Sequence, residues 1–246
     1  MPIYRQMGLI PPKRHIVFRQ PNGKLYHEEL FGTEGFSGKS SLVYHLNPPT
    51  MVKERGEPYS VRPKIAIEDN LQARSYLGFD LQPQEDYLDS RTVLFVNGDM
   101  TIGIAAPSKG MSDYFFKNAD ADELIFVHRG SGTLRTMYGA IDFGYGDYLV
   151  IPRGTVYQMN FDSSDNRLQI TESFSPIETP ARYRNEYGQF LEHSPFCERD
   201  FRLPHNLETH DETGDFLVKI KKRGLIYPYV YSTHPFDVVG WDGCSY

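Results

Sequence analysis

Short apolar runs of four to eight residues, broken by glycine, proline and asparagine, recur along most of this chain, while sustained 3.6-residue periodicity is scarce. That pattern predicts an all-β protein. The clearest stretch is ADELIFVHRGSGTLRTMYGAIDFGYGDYLVIPRGTVYQMNF, residues 121–161, where glycines and one Pro-Arg-Gly turn separate four apolar runs. It predicts a small antiparallel barrel or jelly roll. Just upstream, Asn97-Gly98 stands between two β-rich runs and predicts a tight hairpin. The first 50 residues offer HIVFRQ, KLYHEELF and SSLVYHL as strands of an irregular β layer, divided by PNG, GTEGFSG and NPPT. From Met51 to about Arg91 only short strands or loops can be assigned. After Phe174 a polar, proline-punctuated stretch predicts a long wrapping connection with one short helix, Ala181 to Leu191. Near the end, Phe216, Val218 and Ile220 alternate with Leu217, Lys219 and Lys221, predicting a strand with one solvated face at a lysine-guarded edge. Three regions result: a β-rich segment 1–91 packed on the barrel, the barrel at 92–174, and a wrapping segment at 175–246.

Composition narrows the function classes. A chain of 246 residues buries roughly 70 to 75% of its unfolded surface and needs no staple. Its net charge of −6 and pI near 5.8 argue against nucleic acid or an anionic membrane surface as partner. No window approaches the ~18 apolar residues of a membrane span, so a soluble protein is expected. The two cysteines, Cys197 and Cys244, are too few for a disulfide framework, and the start lacks a signal-peptide pattern. A reducing, cytoplasmic setting is the expectation.

Glu123, Gly130, Gly146, Pro152, Gly154 and Tyr157 resemble the punctuation of the cupin family. The first cupin motif carries two histidines, a glutamate and a glycine, and only Glu123 and Gly130 fit. In the second motif Gly146, Pro152 and Gly154 fit, but Tyr157 stands where histidine belongs. Phe116, Lys117, Asn118 and Ala119 fill the stretch of the paired histidines, so the convergent donors that iron or zinc needs are missing. Tyr157 is expected to cap the barrel mouth with its hydroxyl. His128, on one strand face with Leu124 and Phe126, is expected to be a hydrogen-bonded core or rim histidine. The densest potential ligands, Glu192, His193, Cys197, Glu198, His205, Glu208, His210 and Asp211, have no recognised zinc spacing. His193, His205 and His210 would be the first metal ligands to test. Ser131 falls in an expected hairpin turn rather than a nucleophile elbow, and Phe143 to Gly146 lack the lysine and helix of a phosphate loop.

Longer blocks carry a more specific resemblance. GLIPPKRHIVFR, KLYHEELFGTEGFSGKSSLVYH, the segment from Asp122 to Gln158, LEHSPFCERDF and HPFDVVGWDG are similar to homogentisate 1,2-dioxygenases, the bacterial type above all. The resemblance implies a two-cupin protein whose first barrel is metal-free and whose second holds ferrous iron through two histidines and a glutamate. It implies oxygen-dependent ring opening of homogentisate to maleylacetoacetate, in phenylalanine and tyrosine breakdown, by trimers paired into hexamers. No iron ligand or catalytic residue of that family falls between Met1 and Tyr246. The chain is therefore expected to be an amino-terminal scaffold portion, inactive alone, with a stand-alone non-catalytic cupin or one half of a split enzyme as alternatives. Val238, Val239, Trp241 and Tyr246 look like an interior passage cut short, which predicts an exposed, aggregation-prone Trp241 region.

Overall fold

The computed structural model describes residues 4–67, 72–187 and 189–243. Its strands in chain order begin with β1 (Arg5–Gly8), β2 (His27–Glu34), β3 (Ser37–His45), β4 (Val52–Arg55) and β5 (Tyr59–Ser60). Next come β6 (Arg91–Val96), β7 (Met100–Ala105), β8 (Phe115–Asn118), β9 (Asp122–Arg129), β10 (Gly132–Thr136) and β11 (Gly139–Phe143). The chain continues through β12 (Tyr148–Ile151), β13 (Val156–Phe161), β14 (Arg167–Ser173), β15 (Thr213–Lys222), β16 (Leu225–Thr233) and β17 (Val238–Gly243). Helical structure among the described residues amounts to single 3-10 turns, so the protein is all-β.

These strands form open sheets arranged as a jelly roll. The largest has the order β11-β10-β13-β8-β15-β16-β4, with β5 also on β16. A five-stranded sheet, β12-β9-β14-β7-β6, covers one of its faces, and a four-stranded sheet, β1-β17-β3-β2, covers the other. Consecutive residues of a strand point to opposite faces, so the central strands must be apolar on both. Phe116 and Tyr157 enter one core with Ile125, Leu168 and Ile170. Their neighbours Phe115 and Val156 enter the other with Val43, Val238 and Trp241.

Glycines decide where the chain changes sheets. Gly130 lies between β9 and β10, Gly146 between β11 and β12, and Gly154 between β12 and β13, each at a crossing from one sheet to the facing one. All three have left-handed backbone, with φ of 102°, 88° and 94°. At Gly130 a Cβ would also meet Asn166 Oδ1 at 2.0 Å. The Asn97-Gly98 hairpin forms as predicted: Asn97 Oδ1 accepts from the N–H groups of Asp99 and Met100 at 2.8 Å each.

Several expectations are corrected. HIVFRQ is no extended strand: it forms the single Arg19–Leu25 bridge, and the hydrogen bonds from Gln20 N–H to the Lys24 carbonyl and from Tyr26 N–H to the Phe18 carbonyl close a local loop around its PNG turn. The helix over Ala181 to Leu191 reduces to a 3-10 turn, Ala181–Tyr183, because Asn185 Oδ1 captures the N–H groups of Tyr187 and Gln189 and an Arg184–Phe190 bridge follows. Ser131 belongs to a crossover between sheets rather than a hairpin, since β9 and β10 do not pair. The lysine-bearing strand β15 is no edge: it pairs in parallel with β8 and antiparallel with β16. Lys219 lies 3.6 Å from the centroid of the Tyr114 ring, and Lys221 reaches Glu172. Wrapping structure is confined to residues 174–212, beyond which β15 to β17 are integral sheet strands. Trp241 is 1% exposed and donates Nε1–H to the Tyr138 carbonyl at 2.8 Å, so its region is core, not an uncovered face. Cys244 and Tyr246 lie outside the described residues.

If the central sheet is covered on both faces, Phe115→Ala and Phe116→Ala each cost about 3 to 5 kcal/mol in urea unfolding. A loss under about 1 kcal/mol for either would mean that one face is not a core.

Candidate functional site

The two ligand positions that survive from the cupin spacing do converge. β9 alternates inward Glu123, Ile125 and Val127 with outward Leu124, Phe126 and His128. Tyr157 projects from β13 into the same interior and donates its hydroxyl to Glu123 Oε2 at 2.6 Å. Between them lies Arg91, at the start of β6, whose Nη2 reaches Glu123 Oε1 at 2.5 Å and the Tyr157 hydroxyl at 3.3 Å. Its other terminal nitrogen donates to Glu172 Oε1 on β14 at 3.2 Å. Lys221 on β15 bonds both oxygens of Glu172, at 2.6 and 2.5 Å, while Asn118 and Thr101 add hydrogen bonds at 2.8 and 2.9 Å.

Register explains why this network must exist. Glu123 and Glu172 are direct cross-strand partners on β9 and β14, both nearly inaccessible to water. Like charges directly opposite one another are destabilising, and a buried unpaired carboxylate is worse. Arg91 and Lys221 supply two positive charges against two negative, which leaves the cluster neutral. The guanidinium plane lies 4.2 Å from the centroid of the Tyr87 ring, so aromatic faces complete its surroundings.

Electrostatics follow the geometry. Burial, reinforced by Glu123, pushes the Tyr157 phenol well above its ordinary value, which keeps it a protonated donor rather than a phenolate. Burial works against the Arg91 charge, yet Glu123 and the neighbouring groups outweigh it and raise the guanidinium further. Glu172 feels the same penalty, but Arg91 and Lys221 hold it below the usual carboxylate range. Ferrous iron does not fit here: the convergent groups are one carboxylate, one protonated phenol and a guanidinium that already bridges them. Tyr157 is wholly buried rather than a cap on the barrel mouth. His128 is exposed, edge-on to Phe79 at 5.1 Å, and is neither a core nor a hydrogen-bonded histidine among the interactions described.

The other sequence candidates disperse. His193 is exposed. His205 lies 3.9 Å from Asp142 on β11, and His210 stacks on His234 at 4.0 Å between Glu208 and Glu212. Among the described residues no group of three His, Cys, Asp or Glu side chains has metal-binding geometry. A buried histidine unnoticed in the sequence, His45, is clamped between Asp237 at 2.7 Å and Glu29 at 3.2 Å. Burial opposes its charge, but the two carboxylates prevail and push it up to about 9, so it ties β3 to β2 and to the turn before β17 as an imidazolium.

A cleft of about 600 Å³ opens between the edge strands β11 and β12, bordered by residues 176–179 and 200–204. Its floor is apolar, formed by Leu134, Ile141, Leu149 and Ile151. Lys39–Glu178 and Arg202–Asp147 ion pairs, at 2.7 and 2.6 Å, hold these bordering segments at its rim.

A family model described as "Homogentisate 1,2-dioxygenase N-terminal" matches residues 18–246. The chain belongs to the homogentisate 1,2-dioxygenase N-terminal family. Membership agrees with the long sequence blocks rather than with any one motif. "Putative dioxygenase SSO1533" of Saccharolobus solfataricus is 40% identical over 246 residues, which are all of this chain and 63% of that protein. The chain thus spans less than two thirds of that curated relative's length. Solved cupin structures align loosely. A cupin-2 domain containing protein from Shewanella frigidimarina shares 21% identity over 39% of this chain and 87% of its own, with a TM-score of 0.33. The Cnp3 cupin domain of Schizosaccharomyces pombe shares 14% over 34% and 62%, with a TM-score of 0.32, and neither likeness carries an argument.

In this member of the family, Arg91→Met should cost about 3 to 5 kcal/mol at pH 7, since Glu123 would keep only the Tyr157 hydroxyl. The acid response should weaken as well. In the native chain Glu172 titrates below its unfolded value, so its contribution is present at neutral pH and lost as pH falls through the lowered value. The variant loses one of the two cations that lower Glu172, so less stability should be lost on acidification. Urea unfolding from pH 7 down to about pH 3 checks this, and parallel profiles for the two proteins would contradict the network.

Proposed function

We propose that this chain is the metal-free structural portion of a ring-cleaving dioxygenase that opens homogentisate with molecular oxygen to give maleylacetoacetate. The observation that carries the reading is the Arg91 guanidinium, which joins the two remaining motif positions and satisfies charges that an ion would otherwise balance. Ferrous iron and the reacting groups belong, on this reading, to the part of the longer relatives that the chain does not span. Its own residues supply a rigid jelly roll and the surfaces on which such a part and further subunits pack. A homo-oligomer, trimers paired into hexamers, is proposed by family analogy, as is a cytoplasmic setting within phenylalanine and tyrosine breakdown. No helix among the described residues is long and apolar enough to cross a membrane.

One observation favours a second reading, a stand-alone non-catalytic binding protein. Both cores close within the chain, Trp241 included, so an independently folded unit of this length is physically reasonable.

Homogentisate-dependent oxygen uptake should be absent after anaerobic loading of the purified chain with ferrous iron, and bound iron should stay far below one per chain. One tightly held iron per chain together with uptake would refute the scaffold assignment. A folded monomer that neither aggregates nor associates would favour the second reading.

A further inference from the structure

We propose that Lys117 and the small cavity it faces form a covalent binding site for a small neutral aldehyde, held as an imine on the lysine amine. The site is independent of the scaffold reading. Side chains alternate along β8, so Phe116 and Asn118 serve the core and the Glu172 network on one side of the central sheet, while Lys117 turns with Phe115 toward the four-stranded sheet. There it lines a cavity of about 40 Å³ with Glu29, His45, Met137, Val156 and Tyr231. No hydrogen bond or ion pair engages its amine among the described residues, although Glu29 is close enough for its charge to be felt. Charges taken out of water are normally paired, so an unengaged amine here calls for a partner from outside the chain. Burial outweighs Glu29 and lowers the amine below its ordinary value, which raises the share of the uncharged, nucleophilic form at neutral pH.

The other titratable groups at the cavity are committed. His45, an imidazolium, gives its two ring nitrogens to Asp237 and Glu29, and Asp237 also accepts from the Asn47 N–H at 2.9 Å. Nδ1 of His234 accepts from the Phe236 N–H at 3.0 Å, and burial brings that ring down to about 4, so it is neutral at pH 7. Burial pushes the Tyr231 phenol up to about 12, which keeps it protonated. The Lys117 amine is the uncommitted nucleophile. Size restricts what it can meet, for the cavity has room for only about three non-hydrogen atoms. Charge restricts the chemistry. The amine lone pair attacks the carbonyl carbon and forms a C–N bond, the carbonyl oxygen takes a proton, and the resulting hydroxyl leaves as water. Amine, aldehyde and one proton thus become a protonated imine and water, with no oxidant or reductant. The product restores a positive charge opposite Glu29, whereas a carbamate from carbon dioxide would set a second anion beside it.

Reductive trapping of the intact chain at pH 7 with acetaldehyde and cyanoborohydride, followed by peptide mass spectrometry, reads the ethyl group on each lysine. Lys117 should be labelled about five times faster than the exposed Lys53 and Lys109, whose amines Asp215 and Glu85 hold above their ordinary value. The ratio should shrink as the pH rises toward 10 and the reference amines lose their protons. Pivaldehyde, too bulky for the cavity, should lose the preference for Lys117, and so should acetaldehyde in urea. Labelling of Lys117 no faster than the reference lysines in the folded chain, or a preference that pivaldehyde shares or that survives unfolding, would overturn the assignment.

Discussion

Two glutamates that face each other across neighbouring strands, inside an interface nearly closed to solvent, can remain ionised only with cations between them. Arg91 and Lys221 meet that constraint for Glu123 and Glu172, and they do so from different sheets. The five-stranded sheet contributes Arg91, Glu123, Glu172 and Thr101, and the central sheet contributes Tyr157, Asn118 and Lys221. The ionic cluster therefore fastens the two halves of the jelly roll at the position where the cupin pattern would place an ion. Such a buried network gains little over an apolar core in stability, but removal of any one charged member leaves the others unbalanced. It fixes which strands face one another.

Much of the fold is legible in the sequence because glycine and asparagine leave local signals. Gly130, Gly146 and Gly154 mark sheet crossings at positive φ, and Asn97-Gly98 marks a hairpin, each readable from a few neighbouring residues. Central strands are harder. β15 looks like a half-solvated edge because its lysines alternate with apolar residues, yet its partner β8 lies about a hundred positions upstream and no local pattern announces a parallel pairing. The long lysine stems then cover apolar surface while their amines find Tyr114 and Glu172.

The site shows the same division. Glu123 and Tyr157 could be found from motif spacing, and the missing histidines raised the expectation of a metal-free barrel. Nothing in the spacing pointed to Arg91, which closes the featureless stretch after Met51 and stands 32 residues before Glu123. Like charges placed opposite each other become visible only once register is known. His45 with Asp237 and Glu29 is a second case, joined across |i−j| separations of 192 and 16. Conversely, the conspicuous run of histidines and acids between Glu192 and Asp211, whose spacing matches no zinc pattern, pairs in scattered contacts, His205 with Asp142 on β11 and His210 with Glu208 and Glu212.

The central claim is that a guanidinium, held rigidly, occupies the heart of this jelly roll. Solution NMR of the Arg91 side chain in the uniformly labelled chain measures that directly. Separate, slowly exchanging guanidinium proton signals that move on Tyr157→Phe are predicted, as expected for a group bonded to two carboxylates in a dry interior. A rapidly rotating, solvent-exchanging Arg91, indistinguishable from the exposed Arg129, would contradict it.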